Sequence, residues 1–345
     1  MSDTTSGTSV LPSGRSGDYV RWLSLLACVA VIIVLPFVFR DAYWRGILTI
    51  CAINILLAIG LDFIFGYAGQ LSLGHSAFSG IGAYVSTVLV TSFGFNFWVA
   101  FVCGVLGAGL AGVLLSAFAV RLKGHYLAIA SLGFAVITYQ ILVNWISVTQ
   151  GPLGIYGIPS PPSLSIPGLP EISFANQQMY FYLVASFALL TYIVLRNLIS
   201  SPIGDALIAV REDEVSAASL GIYGTKWKVV AFGVGCSIAG MAGCFYASFI
   251  GTLVPDAFFI TESFMILAMV VIGGRGNLWG AVLGAVLLTV VPELLRGIGD
   301  FRLIIYGLAL TFVALFLPGG LSGVIIQAMR RMGLAVSGVK GDAHV

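Results

Sequence analysis

Two stretches of the chain gather the residue types that could do chemistry, and neither forms an enzyme's constellation. The first, Gly66 to Ser76, interleaves Gly66, Gly69 and Gly74 with Gln70, Ser72, His75 and Ser76. Glycines at that spacing break the backbone between two helices and free N–H and C=O groups that protein or water must satisfy. Inside a membrane such a break normally lines a cavity, where neutral hydrogen-bonding side chains can meet a polar solute. An ordinary turn is the other reading. The second stretch, Arg211 to Gly221, sets Arg211, Glu212, Asp213 and Glu214 ahead of Ala217, Ala218 and Gly221. A charged edge followed by small residues suits close seating against another protein. The sequence has no HExxH and no GxSxG, and none of its four lysines stands in a GxxxxGK[ST] phosphate loop. Any energy drawn from ATP must therefore arrive from another polypeptide.

The elements that position these residues follow from composition. Of 345 residues, 59% are hydrophobic and only 9% charged, against roughly a quarter charged in soluble domains. This is the composition of an all-α, polytopic integral membrane protein, whose lipid-facing surface asks for no nucleic acid partner at a net charge of +2. The five cysteines fall inside apolar runs without CxxC spacing and read as small buried hydrophobes, not as metal ligands or disulfides.

Apolar runs predict about ten transmembrane helices: 22–39, 47–65, 73–90, 97–120, 126–146, 179–195, 229–250, 261–272, 278–291 and 303–317. The two runs between 261 and 291 are short for a span and read as two short spans or one re-entrant pair. A Ser- and Gly-rich tail, 1–20, precedes the permeating core, 21–329, and a tail of 330–345 follows it. With both termini in the cytosol, twelve of the sixteen Lys and Arg fall inside and only Arg40, Arg45, Arg296 and Arg302 fall outside, as the positive-inside bias requires.

That orientation puts 147–178 outside, a stiff segment with six of the twelve prolines, and 196–228 inside. The inside loop carries eight of the thirty charged side chains and cannot lie in hydrocarbon. After Pro202, Asp205 to Leu220 run without Gly or Pro, with Leu207, Val210, Val215, Ala218 and Ile222 at spacings of three to five. This predicts one short amphipathic helix stopped at Gly221, a docking helix or an ordered surface loop. Small residues four apart, as in Gly104–Ala108–Gly112–Ser116 and Gly235–Ala239–Gly243–Ala247, predict close helix contacts. Gly74 to Tyr84 is loosely echoed by Gly235 to Phe245. Asp62, Asn144, Glu262 and Glu293 lie near helix ends, so midplane carboxylates of the kind an ion-coupled carrier needs are lacking.

Five stretches carry a family resemblance: GYAGQLSLGHSAFSGIGAY at 66–84, RLKGHYLAIASLGFAVI at 121–137, VTQGPLGIYGIP at 148–159, SPIGDALIAVREDEVSAASLGI at 201–222 and GGRGNLWGAVLGA at 273–285. In these the chain resembles the LivM-type permease subunits of bacterial ABC importers for branched-chain amino acids. The resemblance implies the ABC importer permease fold and a multi-pass protein of the bacterial inner membrane, without cofactor or catalytic residues. It implies partners in a homologous LivH-type permease, two cytosolic ATPases of the LivG and LivF type and a periplasmic binding protein, together with membrane lipid. It maps an ATPase-coupling loop onto Arg211 to Ile222, with Glu214, Ala217, Ala218 and Gly221 near the acidic, small and glycine positions of the docking motif. Related proteins also serve urea, short amides and aromatic acids. An ion-coupled carrier and a passive channel for small polar solutes are the readings from other classes.

Overall fold

The computed structural model describes residues 29–39, 41–119, 125–163, 173–298, 307 and 320–323. The two tails, the run 303–317 except Gly307, and most of the Arg121 to His125 turn lie outside the described residues. Among the described residues the fold is carried by the helices α1 (Val29–Val38), α2 (Ala42–Asp62), α3 (His75–Thr91), α4 (Phe97–Ala119), α5 (His125–Asn144), α6 (Ile146–Thr149), α7 (Gln177–Ile199), α8 (Pro202–Glu212), α9 (Glu214–Ser219), α10 (Gly224–Ile250), α11 (Ile260–Gly273) and α12 (Leu278–Leu294).

Among the described residues six helical stretches are long and apolar enough to cross a membrane, built on α2, α4, α5, α7, α10 and α11. Helices α1, α3 and α12 match further predicted runs but are shorter. At 1.5 Å per residue, α11 alone rises about 21 Å and α12 about 26 Å, both less than a hydrocarbon core of about 30 Å. They form a tight hairpin closed by Gly274 to Asn277, where Asn277 caps α12 by accepting from Trp279 N at 3.1 Å.

Helix α10 is the axis of the bundle, packed by α2, α3 and α4. Lipid gives no hydrophobic drive to helix association, so these contacts rest on close backbone approach. A Cβ on Gly82 of α3 would collide with the backbone of Gly240 on α10, and one on Gly235 would collide with Ile64 and the Gly60 carbonyl. The segments that echo one another in sequence are thus packed face to face. Around this contact lies an aromatic layer in which Phe101, Phe187 and Phe245 are in mutual ring contact at 5.0–5.5 Å. The outward face of α4 presents Val99, Val102, Leu106, Leu110, Leu114 and Phe118, an unbroken apolar stripe suited to lipid.

The proline-rich segment is anchored where it is described. Strand β1 (Ile155–Tyr156) pairs antiparallel with β2 (Thr252–Leu253) in the register Ile155 to Leu253, and Ile158 N donates to Gly251 O at 3.1 Å. It folds back over the C-terminal end of α10.

Candidate functional site

Both predicted sites sit at one end of the bundle, and they touch. Helix α2 loosens into a π-helical turn, Phe63–Tyr67, and the chain then runs without regular structure to Gly74. The break expected from Gly66, Gly69 and Gly74 is therefore present, although the three glycines act differently. Gly69 has φ +69°, the left-handed region that favours glycine. Gly66 and Gly74 are glycine for space: a Cβ on Gly66 would collide with Asp62 Oδ1 and the Gly276 backbone, and one on Gly74 with the Ser131 carbonyl of α5.

The polar residues of the break are enclosed. Gln70, Ser72, His75 and Ser76 are all buried. Ser76 is held by α11, its backbone N donating to Ser263 Oγ at 3.0 Å and its hydroxyl lying 2.6 Å from the same oxygen. Gln70 Oε1, Ser72 Oγ and both ring nitrogens of His75 make no hydrogen bond of good geometry. Buried polar atoms left open in this number are uncommon in folded proteins. They form a concentration of unused hydrogen-bonding capacity at the break.

The second stretch departs from its predicted form. In place of one helix from Asp205 to Leu220 there are two, α8 and α9, interrupted at Asp213 (φ −151°, ψ 110°). The cause is local capping. Asp213 Oδ1 accepts from Val215 N at 2.8 Å and Ser216 N at 3.2 Å, and Oδ2 accepts from Ser216 Oγ at 2.8 Å, so its side chain starts a new helix instead of continuing the old one. These bonds hold the Asp213 carboxyl below the usual carboxylate range, the Ser216 hydroxyl contributing most. Helix α8 is itself capped by Ser201 with Pro202 at its first position. Gly221 ends α9 as expected, at φ +82°, with Gly221 N donating to Ala218 O and Ile222 N to Ala217 O, both at 3.0 Å.

Because of the interruption, the inward set differs from the predicted one. Leu207 and Val210 are buried, but Val215 is 75% exposed, and Ala218 is exposed as well. Ala217, expected at a docking contact, is buried against the protein's own core. Glu214 has its own partner, Lys228 Nζ at 2.7 Å, which ties α9 to the start of α10. Glu212 and Asp213 are exposed, with Glu212 3.7 Å from Arg211. Apolar residues are nonetheless prominent on the free surface of this end, where Val215, Ala218, Leu220 at 79% exposure and Tyr223 at 74% are exposed alongside Ser216 and Ser219.

Arg211 turns inward. Its Nη1 donates to the Gly66 carbonyl at 2.7 Å, while its stem packs where a Cβ on Gly69 would lie, 2.7 Å from Arg211 Cγ. Beside it Asp62, fully buried, accepts from Gly276 N at 2.8 Å through Oδ1, and Arg275 stacks over Phe65 at 5.0 Å. Arg275 and Gly276 stand in the resembling stretch 273–285 but not among the candidate site residues, and Asp62 reads from sequence as a solvated helix end. The signal available was the spacing of Asp62 and Gly66, four apart and thus on one helix face.

A helical bundle lodged in lipid, with a glycine-broken helix lined by neutral polar groups and a short capped segment projecting beside it, defines a membrane transport permease. The chain belongs to the branched-chain amino acid transport system permease component family, which it matches over residues 44–327. It is similar to the high-affinity branched-chain amino acid transport system permease protein LivM of Escherichia coli (strain K12), at 33% identity over 90% of this chain and 77% of that protein. It is also similar to LivH of Salmonella typhimurium, at 25% identity over 83% of this chain and 96% of that one. The autoinducer 2 import system permease protein LsrC of Shigella flexneri is 29% identical over 90% of each chain. No solved structure matches the chain.

Proposed function

We propose that this permease carries branched-chain amino acids inward by alternating access, as one half of a two-permease pore whose other half is a LivH-type subunit. Two separate ATPases of the LivG and LivF type drive it, and a periplasmic binding protein delivers the solute. The substrate class rests on the names of the LivM and LivH relatives. The observation that carries the ATP-driven reading is the α8–α9 segment: a rigidly capped surface element that exposes Val215, Ala218 and Leu220, with Tyr223 just beyond it, beside the exposed Glu212 and Asp213. Apolar groups concentrated on a water-facing element favour burial against a partner. Val215, Ala218, Leu220 and Tyr223 take the docking role, with Glu212 and Asp213 at the rim and Glu214 and Gly221 shaping the element. Both termini and the 196–228 segment face the cytosol in this reading, and 147–178 faces the periplasm.

The translocation path runs at the break, past Gly66, Gly69, Gln70, Ser72, Gly74, His75 and Ser76. In the conformation described, the chain packs on α5 at Gly74 and on α11 at Ser76, and the polar side chains of the break are buried. Opening exposes the unpartnered Gln70, Ser72 and His75 atoms to the solute. An ion-coupled carrier fits less well, because among the described residues Asp62 is the one fully buried carboxylate and its Oδ1 is engaged by Gly276 N, leaving only Oδ2 open. In proteoliposomes holding the assembled complex and binding protein, leucine uptake should stop when ATP is removed at constant membrane potential. Uptake that follows the potential and ignores ATP would contradict this function.

A further inference from the structure

We propose that Arg211 is the positioning residue through which movement of the α8–α9 segment reaches the broken helix, acting in a three-way latch with Asp62 and Gly276. The inference rests on the docking reading of α8–α9 and goes beyond it by assigning the internal route.

Three chain segments that are remote in sequence meet at this point: the loosened end of α2, the last turn of α8, and the turn between α11 and α12. Two directional bonds join them, both made to the end of α2. The π-helical turn leaves the Gly66 carbonyl available to a donor from outside, and Arg211 Nη1 supplies it at 2.7 Å. One turn earlier Asp62 reaches in the other direction, to Gly276 N at 2.8 Å. Gly276, at φ +76°, sits so close that a Cβ there would lie 3.3 Å from Arg211 Nη1 and 3.4 Å from Gly66 O. The backbones of Gly66 and Gly276 approach this closely because neither residue carries a side chain.

The rest of α8 meets the bundle through Ala206, Leu207 and Val210, which are apolar and buried. Apolar contacts are non-directional and let surfaces slide, whereas a charge-assisted bond from a planar guanidinium fixes one geometry. A push or pull on α8 is therefore transmitted to Gly66 by Arg211 more faithfully than by its neighbours. From Gly66 it passes into 68–74, the segment holding Gln70, Ser72 and Gly74. Asp62 holds the other side of the same turn against the α11–α12 hairpin, whose Ser263 in turn grips Ser76. The latch thus joins the docking element to both walls of the break.

The test is made in the full complex with its ATPases and binding protein, with leucine as the solute. Arg211→Met keeps the stem that packs on Gly69 and removes the donor; Arg211→Lys keeps a cationic donor. Arg211→Met should assemble with its ATPases in wild-type yield and retain solute-free ATP hydrolysis, while losing at least tenfold of the hydrolysis stimulated by leucine-loaded binding protein. Arg211→Lys should recover part of that stimulation. Asp62→Leu should behave as Arg211→Met, and Asp62→Asn, which still offers an acceptor to Gly276 N, should stay within about threefold of wild type in stimulated hydrolysis. Wild-type stimulation in assembled Arg211→Met overturns the latch. Loss of the ATPases, or of the folded complex, in both Arg211 variants also overturns it, since Arg211 would then be part of the docking contact or of the scaffold. A failure of the docking reading itself shows elsewhere, as ATPases retained and uptake unchanged in Ala218→Arg.

Discussion

Arg211 and Gly66, 145 positions apart in sequence, are joined by a 2.7 Å hydrogen bond from the guanidinium Nη1 to the backbone carbonyl. The bond runs from the one strongly charged segment of the chain to the point where helix α2 comes apart. A residue that reads from sequence as part of a docking surface is in fact directed into the bundle, and Val215, Ala218 and Leu220 are left exposed beyond it.

Space at the junction makes Gly66 intolerant of any side chain. Gly66→Ala would drive a methyl group into Asp62 Oδ1 and the Gly276 backbone, an overpacking that typically costs about 1–3 kcal/mol. The expected result is a lower melting temperature and reduced yield of monodisperse protein in detergent, measured by thermal unfolding of the purified chain.

Gly74 and Gly133 offer a matched pair near the α3–α5 contact. A Cβ on Gly74 would collide with the Ser131 carbonyl, while one on Gly133 meets nothing within 4 Å. Gly74→Ala should lower stability and uptake together. Gly133→Ala should leave both unchanged or gain up to about 1 kcal/mol of helix propensity. Uptake assays and melting curves on the two variants, side by side, check this.

The α9 cap gives a pH dependence whose sign follows from its bonds. Accepting from Ser216 and Val215 holds the Asp213 carboxyl below its unfolded value. Its contribution to α9 is therefore complete above the unfolded carboxylate value of about 3.9 and is lost as pH falls through the lower folded value. Hydrogen-exchange protection of Ala217 to Ser219 should hold from neutral pH to about pH 4 and collapse below it. In Asp213→Asn, a cap without a charge, protection should not change over that range.

Orientation predicts opposite labelling at the two ends. In a cysteine-free background, Ser216→Cys should react with a membrane-impermeant thiol reagent only from the cytosolic side. Tyr156→Cys, on the exposed face of β1, should react only from the periplasmic side. Labelling of both from one side would overturn the assigned topology.

Sequence patterning showed much of this architecture because lipid imposes simple rules. Long apolar runs had to become helices, and small residues four apart had to mark close contacts, as Gly104, Gly112, Gly235 and Gly243 do. The break was legible in its glycines. What patterning missed depends on competition and on distance. Periodicity alone could not show that the Asp213 side chain would outbid continuation of α8, and one shifted turn moved Val215 and Ala218 from the predicted inner face to the outside. Nor could local reading pair Asp62 with Gly276, 214 positions away. The partners of a buried carboxylate are set by how helices cross.

The central claim is that α9 is where the ATPase seats, and Ala218→Arg tests it most directly. Ala218 is exposed on a helix already fixed by Asp213, Lys228 and Gly221, so Arg costs little in helix propensity and should leave insertion and folding intact. Set among Val215, Leu220 and Tyr223, it would place an unpaired charge in the centre of an apolar contact. Pull-down of the ATPase with detergent-solubilised Ala218→Arg, alongside leucine uptake by the same variant, is the measurement. The account predicts a normally inserted permease that no longer retains the ATPase and no longer takes up leucine; full ATPase recovery with wild-type uptake would contradict it.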